Sequence, residues 1–204
     1  MDLVVVDGPN LYNDVASSLL GTWSDGDLTA YLLEWFDMDR LVLATLNLEA
    51  PPKLGVVIFH SHKALGRDPY RIKQEQLDAF WGRQGTNPDA STYLVEIPGE
   101  QQETYLFKCK SCAVDNSTNT TSEKGIDTSI TTYLLETADR WDSVCLFSQD
   151  VDYVPPVLAL RRRGKMVFAA CSRSDRATAL LRACQSHFPL DLSFLLADIQ
   201  LWSL

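Results

Sequence analysis

The chain has 204 residues, of which 46% are hydrophobic and 22% charged, and a net charge of −9. Those numbers suit one globular domain with a proper core. They argue against a large non-specific nucleic-acid footprint, which needs a basic surface, but leave room for an enzyme whose excess acid belongs to a metal site. The cysteine count is odd, at five, and no leader signature or span-length apolar run is present. A soluble cytoplasmic protein with reduced thiols is therefore expected.

In chain order, Leu3-Val-Val-Val6 predicts a central strand buried on both faces. It ends in Asp7-Gly8-Pro9-Asn10, where Gly-Pro forces a turn, so Asp7 and Asn10 project from the strand's carboxyl end. The Leu- and aromatic-rich stretch 28–48 predicts one or two helices, closed by Pro51-Pro52. Residues 54–59 are the second expected strand, followed by His60-Ser-His62-Lys63. A helix is expected over 70–81, with Leu77, Phe80 and Trp81 on its apolar side. Strands are expected at 92–97 and, shorter, at 104–107. The Ser/Thr/Asn-rich stretch 116–123 predicts a polar loop.

Lys124-Gly125-Ile126-Asp127 opens a helix running to about Ala138, on the repeat Ile126, Ile130, Leu134. Asp127 falls in its first turn, off the buried stripe. The apolar run 143–147 predicts a buried strand, ending in Ser148-Gln149-Asp150-Val151-Asp152-Tyr153. A helix follows with Pro in its first turn and a stop at Gly164. A strand over 165–170, a helix over 175–187 and a last strand at 199–202 complete the reading. Strands alternate with helices, which predicts an α/β fold: a mostly parallel sheet with helices on both faces.

Asp7, Asp127, Asp150 and Asp152 thus fall at strand ends or helix starts, positions that converge on one edge of a parallel sheet. Carboxylates gathered at one edge suit Mg²⁺ or Mn²⁺, hard ions that take oxygen ligands. Each has a plainer reading: Asp7 as a turn residue, Asp127 as a first-turn acid favoured by the helix dipole, Asp152 as a helix N-cap. Asp150 has no comparable capping role in the sequence. That all four are incidental is much harder to sustain than that any one is.

Taken together, Val-Val-Val-Asp7-Gly-Pro-Asn10-Leu, Lys124-Gly-Ile-Asp127, Ser148-Gln-Asp150-Val-Asp152-Tyr-Val-Pro-Pro-Val and Gly164-Lys-Met-Val resemble the NYN domain, and within it the bacterial LabA-like group. The blocks keep order and spacing from residue 3 to about residue 170. The resemblance implies a Rossmann-like PIN fold and a metal-dependent nuclease acting mainly on RNA. It implies that Asp7, Asp127, Asp150 and Asp152 hold Mg²⁺ or Mn²⁺ and that Asn10 orders the site or the nucleophilic water. Ser148 matches the family's small hydroxyl residue and is assigned to substrate; Lys124 is assigned there too, from its own place near Asp127 at the start of the helix. Gln149 departs from the pattern, which often has a small residue such as Gly there. The chain is expected to be a single domain, with a less typical insert around 60–123 and an extension after about 172.

Other features have bland readings. Arg161-Arg162-Arg163 sits at a helix carboxyl end, where cations favour the dipole. Lys63, Arg67, Arg71 and Lys73 suit either a groove or a solvated face. Cys109-Lys-Ser-Cys112 has the spacing of one half of a zinc knuckle, and a second pair is missing. His60 and His62 are expected on the surface. The leading expectation is an endoribonuclease in which water attacks phosphorus and leaves a 5′-phosphate. Its rivals are a PIN-like scaffold that binds RNA or a protein partner with little catalysis, and a small-phosphoester hydrolase. The last lacks the Asp-x-Asp after the first strand that a haloacid-dehalogenase-type phosphatase needs. Expected partners are single-stranded or structured RNA, and a second copy or a regulatory protein.

Overall fold

The computed structural model describes residues 1–19, 25–48, 50–61, 74–86, 91–97, 100–108, 115–123, 125–172 and 177–193. Six parallel strands form one sheet: β1 (Leu3–Asp7), β2 (Val56–His60), β3 (Thr92–Glu96), β6 (Ser143–Phe147), β7 (Met166–Cys171) and β8 (Ser186–Pro189). Between β3 and β6 the chain makes a separate antiparallel hairpin, β4 (Glu100–Lys108) with β5 (Asp115–Glu123). The helices are α1 (Gly8–Leu19), α2 (Asp25–Trp35), α3 (Met38–Leu46), α4 (Gln74–Arg83), α5 (Ile126–Glu136), α6 (Val154–Arg162) and α7 (Thr178–Ala183). None of these helices is long and apolar enough to cross a membrane.

The two-residue period of a strand sorts the core into two layers. Val4 and Val6 of β1, Val56 and Ile58 of β2, and Cys145 and Phe147 of β6 pack with α1 to α4. Leu3, Val5, Val57, Phe59, Val144 and Leu146 face the other way, onto α5, α6 and α7. Asp7 has the parity of Leu3 and Val5, so its side chain leaves the sheet on the α5–α6 side.

The strand order is β3-β2-β1-β6-β7-β8. The chain winds outward from β1 in one direction, then returns to β6 and winds outward in the other. The crevice between the carboxyl ends of β1 and β6 is therefore the switch point, where open α/β sheets bind ligands. Register places Val6 against Phe147, so Asp7 and Ser148 are the first residues past a paired rung.

Three local expectations need correction. Residues 116–123 are strand, not loop: β5 pairs with β4 from Asp115 against Lys108 to Glu123 against Glu100. Its polar composition masks β-branched Thr118, Thr120 and Thr121, which suit a strand. The helix expected over 175–187 is only α7; Gln185 N–H bonds Val167 O and the chain turns into β8 alongside β7. His60 is buried, its ring stacked on Trp81 at 4.5 Å between centroids. The strand expected at 199–202, His62, Lys63, Arg67, Arg71, Lys73, Cys109, Cys112 and Lys124 lie outside the described residues.

Candidate metal centre

The site is assembled from three stretches. The first is the β1–α1 junction. α1 starts at Gly8 with no intervening loop, so β1 runs straight into a helix amino terminus. Gly8 permits this approach: a Cβ there would lie 2.8 Å from both the Phe59 carbonyl oxygen and the Trp81 ring. Asp7 closes the turn, its Oδ1 accepting the Asn10 N–H at 3.1 Å. The second stretch is the start of α5, where Gly125 (φ 103°) reverses the backbone and puts Asp127 in the first turn.

The third stretch follows β6. Ser148 is buried and its Oγ accepts the Asp150 N–H at 3.1 Å. Asp150 Oδ1 in turn accepts the Asp152 N–H at 2.9 Å, capping a 3-10 turn over Val151–Tyr153. Asp150 therefore does have a capping role, the reverse of the sequence reading, while Asp152 lies inside the turn. Asn10 joins the first stretch to the third, its Oδ1 accepting the Gln149 N–H at 3.1 Å.

The carboxylates of Asp127, Asp150 and Asp152 each offer an oxygen within 4.8 Å of the others, a group able to hold a metal ion. Asp127 and Asp152 are exposed and Asp150 is half-buried, so the ring opens on solvent. Asp7 stands behind it, only 4% exposed. The cleft, of about 360 Å³, is lined by Asp7, by Pro9, Asn10 and Asn13 of α1, by Gly125 to Thr128 and by Asp150. Ser148 is not among these lining residues; its hydroxyl shapes the acidic turn.

Sequence reasoning passed over Tyr153. Its ring is fully buried and its hydroxyl reaches Asp7 Oδ2 at 3.0 Å and Asp127 Oδ1 at 2.9 Å. One hydroxyl carries one proton, so it cannot fully satisfy two ionised carboxylates at once. Burial first, and the charge of Asp127 after it, push the Asp7 carboxyl up to about 7, although the Asn10 N–H pulls against the shift. Burial, then the charges of Asp7 and Asp127, push the Tyr153 hydroxyl above the tyrosine range. The only sequence cue was a polar-tipped aromatic between an acid pair and an apolar helix. Asn13, one turn beyond Asn10, and Thr128 were also passed over.

The family model for the NYN domain matches residues 84–191, more than half of the chain. The chain belongs to the NYN family. The matched region contains Asp127, Ser148, Asp150 and Asp152; Asp7 and Asn10 precede it. The NYN domain is a PIN-like domain of nuclease type, and its acidic ring here is one that could hold a metal. Among solved structures, a protein of unknown function from Vibrio parahaemolyticus RIMD 2210633, VPA0982, is similar with a TM-score of 0.51 and 17% identity. The likeness spans 93% of this chain and 91% of that one, and at such identity it supports the fold alone. No curated protein matches the chain.

Proposed function

We propose that this NYN domain is a Mg²⁺- or Mn²⁺-dependent endoribonuclease, with Asp127, Asp150 and Asp152 as its metal-holding acids. The observation that carries the reading is their convergence within 4.8 Å at the switch point of a parallel sheet. The donor set fits the ion. Three carboxylates are hard oxygen ligands, and the group contains no thiolate or imidazole that would favour a softer metal. Bound there, a divalent ion supplies positive charge against a phosphodiester and activates water for in-line attack.

The chain's own residues supply the rest. Ser148 and Asp150 hold the acidic turn by successive hydrogen bonds to backbone N–H groups, so Asp150 and Asp152 stay fixed while mutually repelling. Asn10 clamps that turn to α1 through Gln149 N–H. The cleft's described lining offers Asn10, Asn13 and Thr128 as neutral hydrogen-bonding groups and no cation. An RNA backbone therefore meets net repulsion there until an ion is present. Lys124, next to Gly125 in sequence, is assigned to the RNA backbone.

The test is cleavage of end-labelled single-stranded and hairpin RNAs in Mn²⁺, Mg²⁺ or EDTA, comparing wild type with Asp150→Asn. Asparagine caps a turn as aspartate does, so the variant should stay folded. Metal-dependent cutting lost by about 100- to 1,000-fold in the variant is expected, a loss of the size seen when one electrostatic group of a catalytic site is removed. Cutting that persists undiminished in the variant, or in EDTA, sinks the assignment. No cutting by folded wild type under any condition would leave the scaffold that binds RNA or a protein partner as the better reading.

A further inference from the structure

The acids come from elements that have no covalent reason to keep their spacing. Asp127 belongs to α5, Asp150 and Asp152 to the turn after β6, and Asp7 to β1. One side chain touches two of these elements while being part of the third. Tyr153 follows Asp152 directly, closes the 3-10 turn and starts α6. Its ring is locked in the core layer with Ile126, Val157 and Leu160, so its hydroxyl has little freedom to follow either carboxylate.

We infer that Tyr153 is a positioning residue for the metal centre: its hydroxyl bridges Asp7 and Asp127 and so fixes Asp127 in the ring relative to the acid of β1. The inference rests on the metal-dependent reading given above. The geometry supports it from both sides. Asp127 Oδ1 is tied at 2.9 Å to a group that cannot move, which limits the directions its carboxylate can take toward Asp150 and Asp152. Asp7 has Oδ1 on the Asn10 N–H and Oδ2 on the tyrosine, both engaged within the protein. Groups that orient a metal ligand through a hydrogen bond typically change metal affinity by about 10–100-fold when removed.

The test is Mn²⁺ titration followed by the electron paramagnetic resonance of the free ion, with circular dichroism as the check on folding. Tyr153→Phe keeps the buried ring and removes the hydroxyl; Mn²⁺ affinity should fall by about 10–100-fold. Val157→Ala loosens the same core layer without touching that hydroxyl and should leave affinity within about twofold of wild type, because it orients no ligand.

Wild-type affinity in Tyr153→Phe overturns the inference and leaves the metal reading standing. So does a loss in Val157→Ala as large as that in Tyr153→Phe, which would mark the effect as loosened packing. If Tyr153→Phe does not fold, Tyr153→Met, which also lacks the hydroxyl, takes its place, and wild-type Mn²⁺ affinity in that variant overturns the inference equally. Wild type that binds no Mn²⁺ removes the metal reading itself, and the inference with it.

Discussion

Two aspartates bracket β1, five residues apart, and the fold treats them in opposite ways. At the amino end, Asp2 Oδ2 accepts the N–H groups of Asp142 and Ser143, each at 2.9 Å, and the Ser143 hydroxyl at 3.1 Å. The Asp142 N–H bond, ahead of the other donors, holds that carboxyl below the usual carboxylate range. At the carboxyl end, Asp7 is buried with one backbone donor and a shared hydroxyl, and its carboxyl is pushed up to about 7. A carboxylate that staples strands together is saturated with donors. The carboxylates at the switch point lie close to one another, an arrangement that is unfavourable until a cation or proton intervenes. The same strand thus ends in a fastening on one side and a stored electrostatic cost on the other.

The sharpest way to break this contrast is to remove charge from the acidic end. Asp127→Asn should weaken Mn²⁺ binding by more than about 100-fold, beyond what an orienting group gives, with the fold retained. Isothermal titration calorimetry reads this directly, and unaltered binding would remove Asp127 from the ring.

A smaller effect separates the two ends by pH. Asp7 has its folded-state value raised, so its contribution is intact below pH 4 and lost as pH rises through about 7. Asp2 has its value lowered, so its contribution is present above the carboxylate range and lost on acidification. In EDTA, the urea stability of Asp7→Asn relative to wild type should therefore grow by on the order of 2–3 kcal/mol between pH 5 and pH 8. A difference independent of pH would mean that Asp7 is not held as described.

The smallest effect is at the amino end. Asp2→Ala should cost roughly 1–2 kcal/mol at pH 7, because it removes the shared acceptor of two backbone N–H groups and the Ser143 hydroxyl. Mn²⁺ affinity should not change. If it did, the fastening and the acidic edge would be coupled through β1 rather than independent.

The two ends also differ in how far the sequence announces them. Leu3–Val6, residues 143–147 and the helix opening at Ile126 follow strand and helix periods closely, so the sheet and the placement of Asp127 are legible. Asp150 and Asp152 could be placed at a strand end for the same reason. Their hydrogen bonds could not: whether Asp150 or Asp152 caps the turn depends on backbone angles that both residue types accept. Tyr153 was hidden more deeply. Its partners lie 146 and 26 residues away, and nothing in an aromatic before Val-Pro-Pro says which carboxylates it will meet. β8 escaped because its strand character comes from β7 beside it rather than from its own residues, a tertiary preference that a short edge segment does not encode.

The pairing of β1 with β6 also sets when the centre can exist. Asp7 is made well before the other acids, but Val6 finds its rung on Phe147 only after the hairpin and α5 have been made. Contacts so distant in sequence form late and carry the loop-closure entropy of everything between them. A nascent chain therefore displays scattered aspartates and no ring. The fold delays the site until the turn after β6 has been made, so the acids cannot gather around an ion on a chain that stops short of it.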